Sequence, residues 1–176
     1  MRKDNRGLSL VEIIIVITIL AILAGAVTTG VSLATGRPAD ECAAKLQSAI
    51  QSSRLSAMGK VNVTLEIYMN DKGYIYVAET VETESENPTD PPVVRTTLTR
   101  IGDLGVSLEF TLTNGVTTTL QPNHANSLIL SFDRSSGAFK PIAGYSDVYC
   151  KTITISRGNR VKELELTYVT GKVTLK

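Results

Sequence analysis

Residues 7–15 read Gly-Leu-Ser-Leu-Val-Glu-Ile-Ile-Ile, and the reading of the whole chain turns on the carboxylate among them. Glu12 is the only ionisable side chain between Leu8 and Ala34, and residues 13–23 (IIIVITILAIL) are apolar apart from Thr18. At 1.5 Å rise per residue, about 20 such residues cross a hydrocarbon core of roughly 30 Å. Residues 13–33 are long enough to do so. Arg2, Lys3 and Arg6 flank the run on one side. The bias of basic residues toward the cytoplasm keeps that flank inside and places everything after residue 33 outside.

Three readings compete for this segment. A secretory signal peptide would use Ala24-Gly25-Ala26 as its cleavage site and release a protein beginning at Val27. An uncut signal anchor would leave the chain whole. Neither gives Glu12 a partner, although a carboxylate at the edge of an apolar span costs on the order of 2 to 3 kcal/mol and such residues are usually paired. Cleavage between Gly7 and Leu8 does supply one. It creates an amine four residues before Glu12, on the same helix face. In a row of packed helices the carboxylate of one subunit can then meet the amine of the next and set the axial register.

The run from Gly7 through Leu8 and Glu12 to Ile15 strongly resembles the leader of type IV prepilins and type II secretion pseudopilins. The resemblance implies a membrane prepilin peptidase that cuts after Gly7, N-methylation of Leu8, and filament assembly guided by Glu12. Leu8 stands where Phe or Met is more usual. It further implies other pilin or pseudopilin subunits as partners, membrane lipid before assembly, and a platform protein with an ATPase to drive extraction. The expected location is the inner membrane, single-pass with a cytoplasmic N-terminus, followed by an extracytoplasmic filament.

The expected organisation is a leader over residues 1–7, a transmembrane and filament-core helix over 8–35, an amphipathic helix over 36–59, and a β-rich head over 60–176. Gly36-Arg37-Pro38 predicts a kink or break, with Asp40 and Glu41 suiting the start of a second helix. Cys42, Ala43, Leu46, Ala49, Ile50, Ser53 and Ala57 recur at three- and four-residue steps, a narrow stripe suited to packing on a sheet. Gly59 closes it.

From residue 61 the period becomes two, with Val61, Val63, Leu65, Ile67 and Met69 alternating against polar neighbours. Asn70-Asp71-Lys72-Gly73 turns this strand into the next, over 74–80. Residues 79–92 (ETVETESENPTDPP) carry five carboxylates and three prolines with no Lys or Arg, which predicts an exposed loop. Further strands are expected at 94–101, 106–112, 116–120, 128–132, 138–142, 148–155, 161–169 and 172–175, with Asn114-Gly115 a hairpin turn. The fold class is α+β: a long N-terminal helix packed on an antiparallel sheet.

Composition argues against an enzyme. The 176 residues hold 18 basic and 17 acidic side chains, no Trp, one His and two Cys. That is too little for a zinc cluster or a His-based catalytic apparatus, and no cofactor or metal is assigned. His124 sits in a polar loop and reads as solvated or capping. Cys42 and Cys150 fit either one bridge between helix and sheet or two buried free thiols.

Residues 46–57 running into 61–65, and later Leu130-Ser131-Phe132-Asp133 through Gly137 with 152–155 and 170–173, are similar to the H-type minor pseudopilins and fimbrial T minor pilins (the GspH/FimT-like group). Some members of that group bind DNA through a Gly-Arg-x-Arg motif. The matching positions here are Gly171, Lys172, Val173 and Thr174, so one of the two cations is kept. Lys151, Arg157, Arg160, Lys162 and Lys172 are the candidate DNA contacts of a second reading, a DNA- or surface-binding tip pilin serving DNA uptake or adhesion. Glu163 and Glu165 stand among them.

Overall fold

The computed structural model describes residues 10–59, 61–83, 85 and 91–176, and within the helix the side chains of 11–21 and 37–58. The chain divides into two compact units, Met1–Thr35 and Gly36–Lys176.

One helix, α1, spans Leu10–Met58. In the first unit its side chains from Val11 to Ala21 are all exposed, among them Ile14 at 50%, Ile17 at 56% and Leu20 at 58%. Thr18 turns its hydroxyl back to the Ile14 carbonyl at 2.7 Å, so its one polar group is satisfied within the helix. Among the described residues no helix is long and apolar enough to cross a membrane. The side chains of 22–36, on which the expected span over 13–33 depends, lie outside them.

The expected break at Gly36-Arg37-Pro38 is absent: helical structure continues through Pro38. Proline inside a helix removes one backbone bond and crowds the carbonyl four residues back, at about 3 kcal/mol. The residues just beyond it explain why the helix persists, because Ala39, Cys42, Ala43 and Leu46 are wholly buried. The stripe then continues through Ile50, Ser53 and Ala57, as the three- and four-residue spacing predicts.

Among the described residues nine strands follow: β1 (Asn62–Met69), β2 (Ile75–Thr83), β3 (Val93–Gly102), β4 (Ser107–Leu112), β5 (Thr117–Thr119), β6 (Leu128–Ser131), β7 (Cys150–Arg157), β8 (Arg160–Thr167) and β9 (Lys172–Leu175). All pairings are antiparallel, but they make two sheets where a single one was expected: β3-β2-β1-β6 and β5-β4-β7-β8-β9. Alternation marks which residues face inward without marking which strand is the neighbour. The inward faces of both sheets and the α1 stripe share one apolar core, in which Leu46, Leu65, Ile67, Leu108, Ile153, Ile155 and Leu164 are fully buried.

Both expected hairpins form. Asn70 Oδ1 accepts from the backbone N–H groups of Lys72 and Tyr74 at 3.1 and 2.9 Å, closing the β1–β2 turn. Asn114-Gly115 joins β4 to β5. Two expectations need correction. The acidic stretch is not loop from residue 79, because β2 holds Glu79 to Thr83 in register with β3; residues 84 and 86–90 lie outside those described. Residues 138–142 do not form a strand but a single bridge, Phe132 to Phe139. Their backbone serves both sheets instead: Lys140 N–H donates to Ser131 O at the end of β6, and Phe139 N–H to Tyr168 O just past β8.

Candidate functional site

Gly7 and Leu8, the expected cleavage pair, lie outside the described residues. Glu12, the expected assembly residue, stands in the first turn of α1, where a carboxylate suits the exposed N–H groups of a helix start. It is followed by the exposed apolar side chains of 13–17 and 19–20. Such a contiguous apolar surface is unfavourable in water and calls for lipid or other helices around it. Among the described residues Glu12 is the one charged group at the head of this apolar stretch.

The head gathers its polar groups differently from the expectation. Arg157 and Arg160 face each other across the β7–β8 turn, and Lys162 pairs with Ile155 close by. Lys151 falls at the register shift between β4 and β7, and Lys172 pairs with Thr167. Lys151 and Arg157 are therefore about 20 Å apart along one strand, at roughly 3.3 Å per residue. Between the two ends lie Glu163 and Glu165, and Lys176 binds Glu165 at 2.8 Å, lowering the carboxyl's proton affinity. The structure brings together Arg157, Arg160 and Lys162 but not the five cations.

Gly171, the first residue of the motif match, has an architectural task. Its φ is +66°, and a Cβ there would overlap the Gly137 carbonyl. That carbonyl accepts from Arg54 Nε at 3.2 Å. The last turn of α1, the Asp133–Gly137 turn and the turn before β9 thus meet at one point. Asp133 organises its own turn: its Oδ1 accepts from the N–H and hydroxyl groups of both Ser135 and Ser136, which hold the carboxyl far below its ordinary range.

Cys42 and Cys150 are free and buried, so the bridge is not formed. Burial pushes both thiols up to about 12, the state of inert core residues. Among the described residues no three His, Cys, Asp or Glu side chains converge as a metal site.

His124 is better placed than its polar loop suggests. Its ring stacks on Tyr68, with centroids 3.8 Å apart, and Tyr68 on Tyr76 at 5.9 Å. Arg100, bound to Asp103, lies over Tyr74 at 4.3 Å. Asn123, His124 and Asn126 all take positive φ, a conformation Asn tolerates better than most residues, and His124 N–H anchors to Met69 O at 3.0 Å. The Pro-Asn-His-Ala-Asn spelling signals a turn, but nothing in it marks the ring partner.

Residues 2–28 match the family model described as the prokaryotic N-terminal methylation motif. Comparison with curated proteins and with solved structures gives no match.

Proposed function

We propose, from the premise that residues 2–28 carry the prepilin-type N-terminal methylation motif that supports membership of the type IV pilin and pseudopilin family, that this chain is a minor pilin or pseudopilin. It is a structural subunit of a type IV pilus-like filament or type II secretion pseudopilus, of the GspH/FimT-like kind. The observation that carries the reading is that the matched residues 2–28 include Gly7, Leu8 and Glu12, with Glu12 the only ionisable side chain between Leu8 and Ala34. The chain inserts with residues 1–7 in the cytoplasm and 13–33 in the inner membrane. Peptidase cleavage frees the Leu8 amine, which is then methylated.

Extraction into the filament exchanges lipid for neighbouring helices around the apolar surface of α1. Contact between Glu12 and a neighbour's Leu8 amine offsets the carboxylate's desolvation and fixes the axial step between subunits. The head of residues 36–176 is then carried outward on that helix. The work of extraction comes from a platform protein and ATPase, since a passive subunit has no source of it. The tip-pilin reading with DNA as ligand has less support, because its cations fall at two ends of a sheet with carboxylates between them.

Intact-mass and N-terminal analysis of membrane-extracted protein, with and without a co-expressed prepilin peptidase, tests the proposal. A peptidase-dependent start at Leu8 that Gly7→Ala abolishes is the expected result. An uncut chain, or one beginning at Val27, overturns it. Glu12→Gln should be cleaved normally and yet fail to enter sheared filaments.

A further inference from the structure

Each sheet has two edges, and one of the four differs from the rest. β6, β5 and β9 are 4, 3 and 4 residues long, whereas β3 has 10. Residues 93–100 of β3 are all exposed. Proteins usually blunt such edges with lysine, proline, bulges or a covering element. β3 contains no Lys and no Pro, and its one irregularity lies at the far end, beside Ile75 and Tyr76.

The cover is also incomplete. α1 meets the far end of β3, where Cys42 lies against Gly102, but residues 93–100 stay exposed, and an open groove of about 300 Å³ lies between Lys45, Ser48 and Ser52 of α1 and Thr97 and Thr99 of β3, floored by Val77. The register sorts β3 into two faces. Arg95, Thr97 and Thr99 stand opposite Val81, Glu79 and Val77 on the groove side; Val94, Thr96 and Leu98 stand opposite Glu82, Thr80 and Ala78 on the other. On the groove side the charged groups are Arg95 on β3, Lys45 on α1 and Glu79 on β2. Glu79 is engaged by the buried Ser53 hydroxyl at 2.8 Å and Lys45 interacts with Asp103 just past β3, so the exposed Arg95 is the cation a partner strand meets first on this face. On the other side Val94 and Leu98 are 54% and 61% exposed.

We propose that β3 is an acceptor edge, completed by an extended strand of a partner protein whose side chains alternate between acidic and apolar. Main-chain hydrogen bonds to 93–100 supply the pairing, as in other strand additions. Alternation does the selecting: every second side chain roofs the groove beside Arg95 and Lys45, and the intervening ones cover Val94 and Leu98. A second copy pairing through its own β3 is disfavoured by charge, since β3 holds Arg95 and Arg100 and no carboxylate and like charges opposite one another destabilise a sheet. The proposal stands apart from processing at Leu8 and would survive its failure.

The test uses the full chain in detergent micelles and a fluorescein-labelled eight-residue peptide alternating Val and Glu. Amide hydrogen exchange locates the binding, and two control peptides accompany it: one alternating Val and Lys, and one with the Glu residues N-methylated at the backbone so that those positions cannot donate. The Val-Glu peptide should bind and slow exchange within 93–100. The Val-Lys and N-methylated peptides should bind at least tenfold more weakly, and Arg95→Glu should reverse the preference for Glu over Lys. The controls alter the probe alone, so a folding defect in the variant cannot imitate their result. Absence of Val-Glu binding, equal binding of the Val-Lys peptide, or protection elsewhere in the chain overturns the proposal. Concentration-dependent protection of 93–100 without any peptide would assign the edge to a second copy and overturn it too.

Discussion

Replacing Gly171 with alanine should be among the most damaging single-methyl additions to the head. Three costs arise from the geometry at that point. The backbone is held at φ +66°, which costs a residue with a Cβ roughly 1–2 kcal/mol. The new methyl overlaps the Gly137 carbonyl and comes within 2.8 Å of Arg54 Nε; overpacking against backbone costs about 1–3 kcal/mol. Moving that carbonyl strains or breaks its bond from Arg54, and hydrogen bonds to charged groups contribute about 1.5–3 kcal/mol. The total is about 4 kcal/mol or more, a large part of the ~5–15 kcal/mol typical of a folded domain. Urea titration of the full chain in detergent measures it, with Gly115→Ala as the control. Gly115 has φ +86° with open space around it, so its variant should lose only the conformational part, about 1 kcal/mol. Equal losses in the two variants would refute the argument, leaving the closeness of Gly171 to Gly137 without energetic weight.

Ser53→Ala removes the hydroxyl that satisfies Glu79 beneath the helix, and should cost about 1–3 kcal/mol in the same titration, the range for a partly buried acceptor left unpaired. Asp133 has its folded-state pKa lowered by the Ser135 and Ser136 donors. Its contribution is therefore present above the unfolded value near ~4 and is lost as pH falls through and below that value. Asp133→Asn should lower the urea midpoint at neutral pH and flatten its decline on acidification. Ellman's reagent at about pH 8 should find neither Cys42 nor Cys150 in the native protein and both in urea, since each thiol is buried and raised to about 12; rapid native reaction would contradict their placement in the core.

Much of this architecture is legible in the chain because its causes are local. The α1 stripe from Cys42 to Ala57 follows from helical spacing alone, and Asn70 to Gly73 and Asn114-Gly115 announce their turns through side-chain capping and positive φ. Long-range choices leave weaker marks. Nothing in the alternation of β4 or β7 tells them to pair with each other and not with β1, so the division into two sheets was hidden. Pro38 signals a helix break that burial of Ala39, Cys42 and Ala43 overrides. At the N-terminus the opposite holds: the motif over residues 2–28 is readable because it is a short linear pattern. The DNA-contact candidates could not be sorted from sequence, since neighbours in number such as Lys151 and Arg157 end up at opposite ends of one strand.

The meeting of Arg54, Gly137 and Gly171 has a temporal side. Synthesis from the N-terminus delivers α1 long before the carbonyl that Arg54 must reach, 83 residues later, and later still the turn that wedges against it. Until residue 171 has emerged, the last turn of the helix has no anchor and the stripe from Leu46 to Ala57 has only part of its sheet. The head can therefore close only late, and a chain cut short before residue 171 leaves an apolar helix face without its full cover.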